Sequence, residues 1–120
     1  MAWSFDAHTP VYLQIANRLR NDVLSGAYKE DEQIPTVRQL ALTAAVNPNT
    51  VQRALTELET EGILYSKGTQ GRFVTGDPDI LLAARKKAAE DLVSEFLKKA
   101  ESLSITRDEL IDMLGRDTDK

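Results

Sequence analysis

Asn49, Thr50, Gln52, Arg53 and Thr56 lie within one short run, PNTVQRALT, that holds no carboxylate. Carboxamides, hydroxyls and a guanidinium at this spacing suit hydrogen bonding to a nucleic acid. An amide side chain pairs with an adenine edge and an arginine with a guanine edge, whereas an acid would meet phosphate repulsion. Catalysis has far less to draw on. Cysteine is absent and His8 is the one histidine, which removes disulfides, thiolate nucleophiles and most zinc sites together. No acidic run has calcium-loop spacing, and neither a G-x-x-x-x-G-K-[ST] phosphate loop nor a nucleophile–base pair occurs. The expected protein is not an enzyme and holds neither cofactor nor metal.

The net charge of −4 speaks at first against a polyanionic partner, but its distribution says more than its sum. From Gln33 to Thr56 there is no acid, while Arg38 and Arg53 are present. From Gly62 to Gly76 there is again none, while Lys67 and Arg72 are present. The acids gather outside these windows, as Glu30, Asp31 and Glu32 before them and Glu57, Glu59 and Glu61 between them. One cationic face on an otherwise repelling body is expected.

Presenting such a face requires rigid elements. Thr9-Pro10 predicts a helix start, with Thr9 as N-cap and Pro10 at the first helical position. Tyr12, Ile15, Ala16, Leu19 and Val23 form the apolar stripe of that helix, which ends near Gly26. Residues 27–34 read as a polar loop with room for one short strand. Thr36 and Gln39 have capping-box spacing for a second helix that buries Val37, Leu40, Ala41 and Ala44. Asn47-Pro48 opens a third, which buries Val51, Ala54, Leu55 and Leu58 and stops at Gly62, with Ile63 beyond it. The N-terminus of the third helix is expected to offer free N–H groups to a phosphate. Glu57, Glu59 and Glu61 in its last turn oppose the helix dipole, so helix stability does not account for them. Ile63 to Ser66 and Arg72 to Thr75 then read as strands around the turn Lys67-Gly68-Thr69-Gln70-Gly71, a β-hairpin.

Gly76-Asp77-Pro78 is the strongest boundary in the sequence, separating a DNA-binding domain over 1–76 from a helical segment over 77–120. Within that segment a long helix from about Asp79 to Ala100 carries Leu81, Ala84, Ala88, Leu92 and Phe96 at helical spacing. A last helix starts at Thr106, where Thr106 and Glu109 form a second capping box and Ile105 with Leu110 a hydrophobic staple. Its apolar face is Leu110, Ile111 and Leu114, and Gly115 is expected to end it. So short a segment cannot bury the long helix alone, which makes Leu81, Ala84, Ala88, Leu92 and Phe96 the expected contact with a second copy. The opening MAWSFDAHTP has neither the basic start nor the apolar stretch of a signal peptide. Arg85, Lys86 and Lys87 interrupt the most apolar helical stretch, far short of a membrane span. A cytoplasmic protein without membrane contact is expected.

Three helices followed by a β-hairpin, with a tight turn between the second and third helices, is the order of a winged helix-turn-helix. The expected fold class is therefore mainly α with a small β-hairpin wing, extended by a two-helix dimerisation segment. The run from Thr9 to Thr75 resembles the DNA-binding domain of the GntR transcription regulators, with IPTVRQLA, VNPNTVQRAL and LETEGILYSKGTQGRFV in the family's order and spacing. The helical tail resembles the YtrA-type subfamily, whose C-terminal part is a small dimerisation unit. The resemblance implies a repressor that binds a two-fold symmetric operator in double-stranded DNA as a homodimer. It also implies that Arg38, Asn49, Thr50, Gln52, Arg53 and, in the wing, Lys67 and Gly68 occupy the DNA-contact region. Pro48 and Gln52 depart from relatives that place basic residues there, which shifts base reading towards Arg38, Asn49 and Gln52. The large ligand domains and the aminotransferase-like domain of other subfamilies have no counterpart in this sequence, so their effector and cofactor chemistry does not carry over.

Plainer readings stand beside these. Arg53 can pair with Glu57 one turn on, and Gly68 and Gly71 are first of all turn residues. GTQG matches the G-x-x-G of KH-type RNA binders, although that loop joins helices and this one joins strands. Trp3 and Phe5 form an apolar pair suited to packing, and Tyr12, Tyr28 and Tyr65 suit the core or its rim. A winged helix used for protein or RNA contact is the alternative function. Against protein contact stands the exclusion of carboxylates from helices two and three. No feature of the sequence identifies an effector.

Overall fold

The chain runs α1 (Val11–Leu24), α2 (Val37–Ala44), α3 (Pro48–Thr60), β1 (Leu64–Ser66), β2 (Arg72–Val74), α4 (Pro78–Ser102) and α5 (Arg107–Asp117), with a 3-10 turn at Gly68–Gln70 between the strands. A computed structural model describes residues 2–117; residue 1 and residues 118–120, at the outer ends of the two expected segments, lie outside the described residues. The fold is the mainly helical winged helix-turn-helix expected from the element order.

Local sequence sets most helix ends. Thr36 caps α2 in a full capping box: Gln39 N–H donates to Thr36 Oγ1, and Gln39 Oε1 accepts from the Thr36 N–H. Asn47 caps α3, with Pro48 at its first position. At the far end of α3 the Ile63 N–H reaches the Leu58 carbonyl at 3.0 Å and the Gly62 N–H that of Glu59 at 3.0 Å, a closure that needs the left-handed φ of +82° at Gly62. The start of α1 differs from expectation. Pro10 is the cap residue and no side chain caps it; Gln14 instead reaches back to hold the segment before the helix. Its amide donates to the carbonyls of Asp6 (3.0 Å) and Thr9 (2.7 Å), and its oxygen accepts from the Asp6 N–H (3.0 Å).

The core lies between α1, α2, α3 and the hairpin. Ile15, Leu19, Val51, Leu55, Leu58, Ile63 and Val74 are its largest fully buried side chains, each contributing about 1.5–3 kcal/mol on burial. β1 and β2 are antiparallel with Tyr65 opposite Phe73. The loop before α2 forms no strand but one isolated antiparallel bridge, Gln33 opposite Phe73, with hydrogen bonds to β2 on either side. Asp31 N–H donates to the Val74 carbonyl, Val74 N–H to that of Glu32, and Ile34 N–H to that of Arg72, at 2.9, 2.9 and 3.0 Å.

The first compact unit extends to Ala84 and the second begins at Arg85. Gly76-Asp77-Pro78 therefore separates elements, while the unit continues into α4. A Cβ at Gly62 would stand 3.3 Å from Ile80 Cδ1, so this glycine also lets α4 approach. Leu81 and Ala84 are half-buried against the core; their packing partners lie within the chain.

In the second unit α4 ends with the Ile105 N–H on the Ala100 carbonyl at 2.9 Å, and Ser104 takes the left-handed position with φ +60°. Thr106 and Glu109 form the expected capping box, and Leu110 is buried. Helix α5 does not stop at Gly115 but continues to Asp117. A glycine inside a helix costs only about 1 kcal/mol, and the Asp112–Arg116 pair at 3.1 Å supports the last turn. Of the face expected on α5, Leu110 alone is covered; Ile111 and Leu114 are exposed.

Candidate nucleic-acid interface

On α3 the buried positions Val51, Ala54, Leu55 and Leu58 take one side and leave Asn49, Gln52, Arg53 and Thr56 exposed on the other. Thr50 is half-buried at the edge of that strip. Helix α2 joins the same core through Leu40 and Ala41 and presents Arg38 to solvent. The side chains of Arg38, Asn49 and Gln52 have no hydrogen-bond or ionic partner among the described residues. Such groups are available to an external ligand, and nothing anionic on the strip competes with them.

The expected phosphate site at the start of α3 is not there. Pro48 has no N–H, Asn49 N–H donates to Asn47 Oδ1 at 2.7 Å, and the Thr50 N–H is taken by the Asn47 carbonyl at 3.0 Å. The cap that starts the helix uses the donors that a bare terminus would offer.

The wing is shaped from outside as well as from within. Lys67 N–H donates to the Gly71 carbonyl at 3.0 Å and Gln70 N–H to that of Lys67 at 2.9 Å, closing the turn. Gln33, at the isolated bridge to Phe73, donates its amide to the Gln70 carbonyl at 2.6 Å. Gly71 has φ +107°, a conformation that strains any residue with a side chain, and a Cβ there would also push on the Gln33 amide, 2.8 Å away. Gly68 stands at the tip with nothing within 4 Å of where its Cβ would be. The Lys67 ammonium lies 5.1 Å from the centre of the Phe73 ring, exposed at the wing.

Two of the cations and two of the acids that the sequence left unassigned belong to each other. Arg72 pairs with Glu59 at 2.5 Å, and Arg20 pairs with Glu61 through two bonds at 2.8 and 2.5 Å. Arg72 is thus removed from the cationic face expected in the second acid-free window, leaving Lys67. Burial pushes the Glu59 carboxyl up, but hydrogen bonds from Arg72 and Ser66 and the charge of Arg72 outweigh it and hold it below the ordinary glutamate range. The missed signal was the clustering of acids where the helix dipole disfavours them, which calls for cations from other elements. Arg53 does not pair with Glu57; its guanidinium lies over the Tyr12 ring at 3.9 Å.

Among the described residues no group of three or more His, Cys, Asp or Glu side chains could hold a metal ion, and no helix is long and apolar enough to cross a membrane. Residues 11–74 match the family described as bacterial regulatory proteins, gntR family. The chain is 30% identical over 108 residues to the uncharacterized HTH-type transcriptional regulator YhcF of Bacillus subtilis, covering 90% of this chain and 89% of that protein. It is 34% identical over 91 residues to the transcriptional repressor YtrA of the same species, covering 76% and 68%. A GntR family transcriptional regulator from Listeria monocytogenes superposes with a TM-score of 0.84 at 29% identity, over 93% of this chain and 98% of that one. The DNA-binding domain of AraR, solved in complex with operator ORX1, gives 0.57 at 25% identity over 62% of this chain and 95% of that one. With its hairpin wing, its exposed α3 strip and this match across more than half its length, the chain belongs to the gntR family of bacterial regulatory proteins.

Proposed function

We propose that this protein is a cytoplasmic, sequence-specific transcription repressor that binds a two-fold symmetric operator in double-stranded DNA as a homodimer. The observation that carries the reading is the carboxylate-free strip of α3, where the Asn49 and Gln52 side chains stand exposed and unpartnered alongside an equally unpartnered Arg38. In a major groove, amides and a guanidinium read base edges. Thr50, Lys67 and Gly68 flank them, the wing residues against the sugar-phosphate backbone. The naming of YtrA as a repressor and the operator complex of the AraR domain support the same reading. A second copy supplies the second half-site and covers α4 around Ala88, Leu92 and Phe96, where Leu92 and Phe96 are 67% and 46% exposed.

The test is a fluorescence-anisotropy titration. The duplexes are one that the protein enriches from a random-sequence pool and a shuffled duplex of equal length and composition. The enriched duplex is expected to bind more tightly. The slope of log K against log salt is expected to fall by about 0.9 for each phosphate contacted. Equal binding to both duplexes, or affinity that stays flat as salt rises, removes the reading.

A further inference from the structure

Arg53 and Tyr12 come from different helices, and the guanidinium carbon lies over the ring, 3.9 Å from its centre. Tyr12 is half-buried against the core, so its ring is held by its own packing and Arg53 is laid upon it. Glu57, the acid one turn along α3, takes part in none of the ion pairs of the described residues. At 100° per residue, Asn49, Arg53 and Thr56 lie nearest the middle of the exposed strip of α3 and Gln52 lies towards one edge. Arg53 and Gln52 lie on opposite sides of Asn49, and the ring contact draws the Arg53 side chain towards α1.

We propose that Arg53 contacts a DNA phosphate rather than a base, and that Tyr12 is the residue that positions it. The inference rests on the DNA-binding reading above. A guanidinium carries its five N–H donors in its own plane. Held over a ring, with no hydrogen-bond or ionic partner among the described residues, it keeps those donors free for paired hydrogen bonds to phosphate oxygens. A side chain drawn towards α1 is drawn to the side of Asn49 away from Gln52, and so away from the base edges that Gln52 faces. The ring orders a flexible side chain before DNA arrives, so less freedom is lost on contact. It also competes with Glu57, which would otherwise attract the same cation.

The experiment uses the full chain as wild type, Tyr12→Phe, Tyr12→Leu, Arg53→Ala, Arg53→Lys and the double variant Tyr12→Leu/Arg53→Ala. Each is titrated against the wild-type-enriched duplex and its shuffled counterpart over a range of salt. Tyr12→Phe keeps the ring and is expected to bind like wild type. Tyr12→Leu is expected to weaken both duplexes by about two- to five-fold per subunit. Arg53→Ala is expected to weaken both and to reduce the salt slope by about 0.9 per subunit. Once Arg53 is gone, Tyr12→Leu should add nothing. Arg53→Lys leaves the core untouched, and it should keep the salt slope while losing affinity, because an ammonium does not stack in the plane. This variant decides the matter even where Tyr12→Leu fails to fold. Loss of binding to the enriched duplex alone in Arg53→Ala would assign Arg53 to a base and overturn the inference, as would additive effects in the double variant. A wild type that enriches no duplex overturns the DNA-binding reading itself.

Discussion

Arg72 on β2 closes on Glu59 in the last turn of α3, with Nε 2.5 Å from Oε1, while the Ser66 hydroxyl donates to Oε2 at 2.9 Å. One carboxylate thereby ties both strands of the wing to the helix that carries Asn49 and Gln52. Both side chains are mostly shielded, at 19% and 29% exposure. Breaking such a pair leaves a poorly solvated charge, unlike breaking a surface pair.

Glu59→Gln is expected to lower the unfolding free energy by roughly 1–2 kcal/mol at neutral pH, the scale of a lost charged hydrogen bond. The pH dependence has a definite sign. Glu59 is held below its ordinary value in the fold, so its stabilisation is complete above the unfolded value of about 4.3. It is lost as pH falls through the lower folded value. Urea unfolding of both proteins should therefore show a gap at about pH 6 that narrows towards about pH 3. A gap of constant size at both ends would show that the ion pair does not support the wing.

The turn between α2 and α3 places Ala45 at φ +59°, in the left-handed region that costs an L-residue roughly 1–2 kcal/mol. Glycine escapes that cost but gives the unfolded chain more freedom, roughly 0.5–1 kcal/mol. Ala45→Gly is therefore expected to raise stability by about 0.5 kcal/mol, and Ala45→Val to lower it by about 1 kcal/mol or more. Chemical unfolding midpoints at equal slope would check the opposite signs. Two changes in the same direction would mean that strain at this turn is not what limits it.

The first compact unit extends to Ala84, and this sets where the chain can be shortened. A fragment ending at Ala84 is expected to melt cooperatively as a folded winged helix. A fragment ending at Gly76 loses Ile80 from against Gly62 and the packing of Leu81 and Ala84, and should be less stable by about 2 kcal/mol or more. Calorimetry of the two fragments decides it, and equal melting temperatures would show that the first turns of α4 contribute nothing to the core.

Arg38→Ala and Gln52→Ala are each expected to weaken binding to the enriched duplex by about 1–3 kcal/mol, the scale of a lost base-edge contact. Both positions are exposed, so the melting temperature should stay within about a degree of wild type. Lys67→Ala should instead weaken enriched and shuffled duplexes alike, as a wing lysine on the backbone would. If Arg38→Ala and Gln52→Ala both bind like wild type, the exposed strip is not the reading surface.

The sequence by itself determined the local architecture of this protein. The Thr36–Gln39 and Thr106–Glu109 capping boxes, the Asn47-Pro48 helix start and the Gly62–Ile63 closure all lie where their spacing put them. So does the division of α3 into a buried and an exposed side. Capping and helical burial act between residues no more than a turn or so apart, so near neighbours in sequence suffice to specify them. Even here, competition between local options shifted details: Pro10 took the cap position expected of Thr9 at the start of α1, and α5 ran through Gly115. Only the tertiary structure decided which charges remain free. Arg20 finds Glu61 41 residues away and Arg72 finds Glu59 13 residues away, while Arg53 turns from Glu57 to the Tyr12 ring. Leu81 and Ala84 likewise pack against the first core, and Ile80 lies close to Gly62. A charge or an apolar face has many possible partners along a chain, and the choice among them is made by which surfaces the fold brings within a few ångströms.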